Sequence, residues 1–328
     1  MEAPKIETLP PPPSVISAIR AGFDTISTHL AVILLPLALD LFLWLGPRLN
    51  IGKILLPVSE MNQKLTEMPR VSTTTLEQVF TAYTEFAKNF NLFSFLSTFP
   101  IGISSLLRGL QPVDNPLGQP QIVPVPTIES ILGWGILFTL VGWLGGALYY
   151  RWVASLALPQ GEKVHLAAVG QSFSLSILYT ILAFGVGIPV FIFIFLLYVV
   201  NPVIGQGLLL VLGFMSMWLV VPLYFAGHGI FMGSQDMFSS IFSGIRLARF
   251  TLPTSSLFVL CVLVINIGLN YLWSIPQSNS WMLLIGIFGH AFITTALLAA
   301  SFIYYRDTTA WLQIIFDKLK AGAATPRA

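Results

Sequence analysis

Long stretches of this chain are apolar at nearly every position, without the alternation that marks a wet face. No Asp, Glu, Lys or Arg occurs from Val164 to Gln235, and none from Phe250 to Tyr305. A soluble domain needs charge over its outer surface. A charge at mid-depth in a bilayer costs about 2.5–3.5 kcal/mol on insertion scales, so lipid selects for its absence. A helix of about 20 mostly apolar residues reaches across a ~30 Å hydrocarbon core. Six segments qualify: His29–Gly46, Ile131–Tyr150, Phe173–Val200, Ile204–Phe231, Leu257–Ile275 and Trp281–Tyr305. Asn201-Pro202-Val203 separates the third from the fourth, and Ser274 to Ser280 separates the fifth from the sixth. Each charge-free stretch therefore reads as one hairpin with an uncharged tip.

Between the first two spans the pattern changes. Thr74 and Glu77 form a capping box, in which hydroxyl and carboxylate satisfy early helix N–H groups reciprocally. Leu76, Val79, Phe80, Tyr83, Phe86, Phe90 and Phe93 follow at helical spacing. The spacing predicts an amphipathic helix over 74–95 with an aromatic face. That face either packs on the span ends and the lipid interface or docks a partner, with Phe80, Tyr83, Phe86 and Phe90 as its contacts. The apolar string Phe99 to Ile103 and the pair Leu106-Leu107 read as a second, short interfacial element. The prolines at 112, 116, 120, 124 and 126 make 111–126 an extended stretch.

Basic residues orient the spans. The two short hairpin tips carry no Lys or Arg, whereas the opposite side holds Lys5, Arg20, Arg151, Lys163, Arg246, Arg249, Arg306, Lys318, Lys320 and Arg327. By the positive-inside rule both termini are expected in the cytoplasm. Tyr149, Tyr150 and Trp152 beside Arg151, and Tyr304 and Tyr305 beside Arg306, fit interfacial anchoring. The organisation that follows is a disordered Pro-rich cytoplasmic tail over 1–14, an interfacial helix and first span over 15–46, and an extracytoplasmic loop over 47–130. The bundle of the other five spans covers 131–305, and a cytoplasmic tail 306–328. The fold class is an all-α integral membrane protein of three helical hairpins with cytoplasmic interfacial helices.

Composition agrees: 55% of the 328 residues are hydrophobic and 9% charged, against about 25% charged in soluble proteins. The net charge of +2 points to no nucleic-acid partner. The lone cysteine, Cys261, has no partner for a disulfide, and no Cys/His cluster has zinc-ligand spacing. The proline-rich start lacks the short apolar core of a signal peptide.

Ser17-Ala18-Ile19-Arg20 leads into the first span and Ser243-Gly244-Ile245-Arg246 into the fifth at a similar distance. His165 to Ser174 precedes the third less clearly. The reading is three repeats of interfacial helix, span, turn and span, which makes Asp40 and Asn266 equivalent. Helices of this kind bury apolar faces and offer cations to anionic lipid, here Arg20, Arg246 and Arg249.

Asp40 is the one acidic residue within a span, and an intramembrane carboxylate is a candidate functional site. Its structural alternative is pairing with a basic group such as Arg48. His290 lies mid-span in the sixth segment, and Asn266 and Asn270 share a face of the fifth. The four residues form either a polar path or ordinary interhelical hydrogen bonds. His228 reads as interfacial. Gly142 with Gly146, and Gly229 with Gly233, have the spacing for close helix approach. Pro36, Pro189 and Pro222 interrupt spans. No HExxH, GxSxG, P-loop or GxGxxG motif is present, so neither enzyme activity nor a cofactor is expected.

The string Ser239-Ser240-Ile241-Phe242-Ser243-Gly244-Ile245-Arg246-Leu247-Ala248-Arg249, the two spans after it and the closing Tyr304-Tyr305-Arg306-Asp307 resemble a diffuse bacterial group of six-span membrane proteins. That group includes the membrane domain of some glycerophosphodiester phosphodiesterases and its stand-alone relatives of unknown function. The resemblance implies a bacterial cytoplasmic membrane. It covers mainly the C-terminal third and does not extend to the phosphodiesterase domain, for which this chain has no room. The leading functional expectation is a non-enzymatic scaffold or accessory subunit, whose partners are the bilayer and other membrane subunits. The alternative is a transporter or channel for lipid or a small weakly charged solute.

Overall fold

The computed structural model describes residues 10–55, 81–87, 89–108, 114–159 and 161–324. Helix α1 (Val15–Thr28) starts at Ser14, whose hydroxyl accepts from Ser17 N. The chain then turns by 93° at His29 into a 3-10 turn (Leu30–Ile33) and α2 (Leu34–Leu45). Helix α3 (Ile128–Ala157) is capped by Thr127. Helices α4 (Ala167–Leu182) and α5 (Ile188–Val200) are joined by a π-helical turn, Ala183–Gly187, which absorbs the strain ahead of Pro189. Asn201 caps α6 (Pro202–Phe225), which bends by 46° between Ser216 and Trp218 and is followed by the short α7 (His228–Met232). Helix α8 (Met237–Trp273) is kinked at Thr251, two residues before Pro253, and α9 (Leu283–Ala324) ends the described chain.

Among the described residues, four helices are long and apolar enough to cross a membrane: α3, α4 with α5, α8 and α9. Counting each bent pair as one span, there are up to six. The chain is a helical, multi-pass membrane protein. The kink at Thr251 separates the amphipathic start of α8 from its apolar run, and the right angle at His29 separates α1 from α2. The segment from His165 has no such break and runs into α4, so the second of the three expected repeats lacks a separate leading helix.

Helix α9 is the centre. In its most apolar stretch 61% of residues are buried, against 6% for α4 with α5. Ala291, Ala296, Ala299 and Ala300 are fully buried along it, and small side chains let helices approach. Helix α1 crosses there: a Cβ on Gly22 would lie 2.5 Å from Ala296 O and 2.6 Å from Ala300 Cβ. Helices α2, α3 and α8 complete the shell around α9. At one end the Arg306 guanidinium donates to the Ala157 carbonyl at the C-terminus of α3 and pairs with Asp307 at 2.8 Å. The helix continues beyond them, and Trp311 Nε1 donates to Pro10 O at 2.8 Å. By contrast, α5 buries only Ile194, and the first half of α6 only Gly205.

The loop between α2 and α3 folds back on the bundle. Strands β1 (Arg48–Asn50) and β2 (Ile122–Pro124) pair in parallel. Asn91 Oδ1 accepts from Leu49 N and Phe93 N. Asn115 Nδ2 donates to Trp44 O, while Trp44 Nε1 donates to Ser278 O in the α8–α9 turn. The predicted capping box, Leu76, Val79 and Phe80 lie outside the described residues. Residues 81–87 are helical, but the helix does not reach 95: Asn91 is extended and caps a 3-10 turn, Leu92–Leu96. The aromatic run survives as ring contacts instead. Phe86 meets Phe90, Phe90 meets Phe95, and Phe93 meets both Phe42 of α2 and Phe138 of α3.

Candidate functional site: an inward-folded segment and a polar cavity

The segment 97–108 is the least regular part of the described chain, and it runs into the bundle. Gly142 and Gly146 of α3 make the room. A Cβ on Gly142 would stand 2.6 Å from Leu96 O, and one on Gly146 would stand 2.5 Å from Gly102 Cα. At 1.5 Å per residue, Gly146 is about 27 Å along α3 from Ile128. Tyr150, one turn further, donates from its hydroxyl to Pro100 O at 3.4 Å. The small-xxx-small face of α3 thus receives irregular backbone rather than a neighbouring helix. Within Phe99 to Ile103, Phe99 is exposed while Ile101 and Gly102 are buried against the bundle. Ile101 is 2% exposed and in contact range of Gly227, beyond the end of α6. The segment secures itself locally, with Ser97 Oγ donating to Ile103 O and Thr98 Oγ1 to Ile101 O.

Asp40 anchors the returning limb. The carboxylate is wholly buried and accepts three hydrogen bonds: from Ser105 Oγ at 2.5 Å, Leu106 N at 3.0 Å and Leu107 N at 3.3 Å. This settles one alternative, since Asp40 does not pair with Arg48. The carboxylate instead supplies acceptors to backbone donors that would otherwise be orphaned.

Beside the segment lies a partly open cavity of about 560 Å³. Asn266 and Asn270 of α8 and His290 of α9 all line it. His290 Nδ1 is 2.7 Å from Asn270 Oδ1, and Asn270 Nδ2 donates to Asn266 Oδ1 at 3.4 Å. The three expected polar residues form one chain. Asp40 stands outside the cavity, behind Ser105, which lines it. His290 is 2% exposed, and its Nε2 has no hydrogen-bond partner among the described residues.

The cavity also takes residues that sequence reasoning did not select. His228 is buried rather than interfacial: its Nε2 is 2.8 Å from Ser301 Oγ and its ring sits among Tyr224, Phe225 and Phe302. The break between α6 and α7 turns it inward. Tyr150 and the backbone of 97–105 were missed as well. A signal existed for the latter, because no charged residue occurs from Asn89 to Leu107 within an otherwise polar loop.

The remaining candidates lie elsewhere. Phe86 is 49% exposed, whereas Tyr83 and Phe90 are half-buried, Phe90 packing against the cluster of Ile51, Leu92, Val125 and Phe138. Arg20 is exposed beside Asp24, 3.8 Å away. Arg246 and Arg249 are exposed on the amphipathic start of α8, with Arg249 over the Phe250 ring. No protein family, no curated protein and no solved structure matches this chain.

Proposed function

We propose that the protein is a transporter or channel for lipid or a small, weakly charged solute, using the cavity beside the 97–108 segment. One observation carries this reading: irregular backbone from the loop and polar side chains from two apolar helices face the same space. Backbone that leaves helical geometry within a membrane is tolerated where it is buried in protein or lines a cavity. Ionisable residues within spans face the bundle interior or a water-filled cavity and mark substrate pathways, and His290 lines this one. The route is non-enzymatic and needs no cofactor. The finer topology belongs to the same proposal: six spans in a bacterial cytoplasmic membrane, both termini cytoplasmic, and the 47–130 loop outside. The resemblance of the C-terminal third to six-span bacterial proteins is compatible with it.

Reconstitution tests the reading. Proteoliposomes are challenged with glycerol, read by light scattering, and with a fluorescent neutral lipid, read by quencher access. At least one probe should cross faster than in protein-free vesicles, and His290→Ala and Asp40→Asn should each change that rate. Rates equal to empty vesicles for both probes would sink the proposal.

A second reading, an accessory subunit of a membrane complex, is favoured by the α5–α6 hairpin, whose outer half packs on little but itself. Purification in mild detergent should then yield a stoichiometric partner, lost when Phe191 and Phe214 are changed to Ala.

A further inference from the structure

Resting on the cavity reading above, we infer that the cavity is a binding site for a neutral amphiphile: an uncharged hydroxyl head on an apolar tail. The head site is defined by atoms. Asn270 Oδ1 faces His290 Nδ1 at 2.7 Å while Asn270 Nδ2 donates to Asn266. Asn270 is therefore the acceptor towards the ring, and Nδ1 carries the proton. In the neutral imidazole the other nitrogen, Nε2, is then a lone-pair acceptor. It has no partner among the described residues and is closed from solvent, so a ligand reaches it only as the lining shifts. A ligand that satisfies it must bring a donor, and a hydroxyl does so with its proton. The hydroxyl oxygen keeps lone pairs for an amide N–H of Asn266, whose oxygen alone is engaged among the described residues.

Charge selection follows from what surrounds these groups. Among the described residues no carboxylate lines the cavity, and both oxygens of nearby Asp40 are already used by Ser105, Leu106 and Leu107. Arg108 is the one Lys or Arg among the described lining residues, and it is exposed. A cationic or anionic head would enter without a counter-charge, which is far costlier than burying a paired hydroxyl.

The tail site is the apolar part of the lining. Val220 and Leu223 of α6 and Leu263 of α8 line the cavity, and each remains more than a third exposed on the outside of the bundle. The apolar wall is thus continuous with the helix surface that faces lipid, so a chain can lie across it while its head sits at His290. The cavity volume lies within the ~300–1,000 Å³ range of small-molecule sites.

The test uses the full-length protein in nanodiscs and four photoreactive probes on one alkyl chain: the primary alcohol, its methyl ether, the carboxylate and the trimethylammonium. Labelled peptides are identified by mass spectrometry. The alcohol should label residues of 255–301, and the other three should do so at least about tenfold more weakly, a floor well below the discrimination that a site built to hydrogen-bond a hydroxyl can reach. Leu263→Trp, which leaves the head site intact, should block labelling, as should Asn270→Leu. Equal labelling by the ether would overturn the donor requirement, and equal labelling by either charged probe would overturn the neutral class. Absence of cavity labelling by the alcohol would overturn the site itself. Flux without alcohol labelling would leave transport standing and remove this inference. Labelling without flux would do the reverse.

Discussion

Asp40 illustrates how one side chain can hold irregular backbone inside an apolar bundle. Its two oxygens take three donors from 105–107, two of them main-chain. Removing the acceptor leaves buried N–H groups unsatisfied, at about 1–3 kcal/mol each. Asp40→Ala should lower the thermal midpoint in detergent and free the segment. A cysteine at Ser104, in a Cys261→Ser background, should then react with a maleimide faster than in the parent, and an unchanged rate would show that the carboxylate does not anchor it. Gly142 makes the complementary point. Gly142→Val places atoms against Leu96 O and Thr98 Cγ2, and overpacking of this kind costs about 1–3 kcal/mol. Gly207→Ala meets nothing within 4 Å and should be neutral or slightly stabilising, as expected for an exposed helix position. Paired unfolding curves of the two variants check the contrast.

At the scale of elements, boundaries obey local chemistry where it is strong. Asp236 caps α8, accepting from Phe238 N at 3.0 Å, Ser239 N at 3.1 Å and Ser239 Oγ at 2.5 Å. The Ser239 hydroxyl first, and then the backbone donors, hold its carboxyl below the usual carboxylate range. A lowered folded value means that the cap stabilises above the unfolded value and loses that contribution as pH falls through the folded one. Asp236→Asn should therefore flatten the acid limb of the stability profile measured by thermal unfolding between pH 6 and 3. An unchanged limb would assign the acid sensitivity elsewhere. The apolar helices were legible because charge depletion is a property of composition over a long window. The sharing of His290, Asn270 and Asn266 was half legible. Spacing put the asparagines on one face, but only the α8–α9 hairpin brings His290 to them. The inward course of 97–108 was not read, since an apolar string in a loop is equally suited to an interface. Its partners, Gly142, Gly146 and Tyr150, lie on a separate helix. The aromatic periodicity past Phe86 misled for a related reason: Asn91 offers its side chain to two backbone N–H groups and stops the helix.

Considered whole, the molecule is built on α9. Gly22 brings α1 against Ala296 and Ala300, while Arg306 ties the same helix to the end of α3. Gly22→Leu should lift α1 away, and trypsin should then cut at Arg20 several-fold faster in detergent than in the parent. An unaltered digestion rate would show that the crossing does not hold α1. The same centrality sets an order of assembly. Synthesis proceeds from the N-terminus, and the cavity beside 97–108 is walled by side chains that run as late as Ser301. When the ribosome has released 97–108, most of that wall does not yet exist. The segment can still settle on Asp40 and α3 early, whereas Leu106 and Leu107 find Leu283 and Ile287 only once α9 has been made. A chain stopped at Trp273 should hold 97–108 against α3 and leave the cavity beside it open on the α9 side.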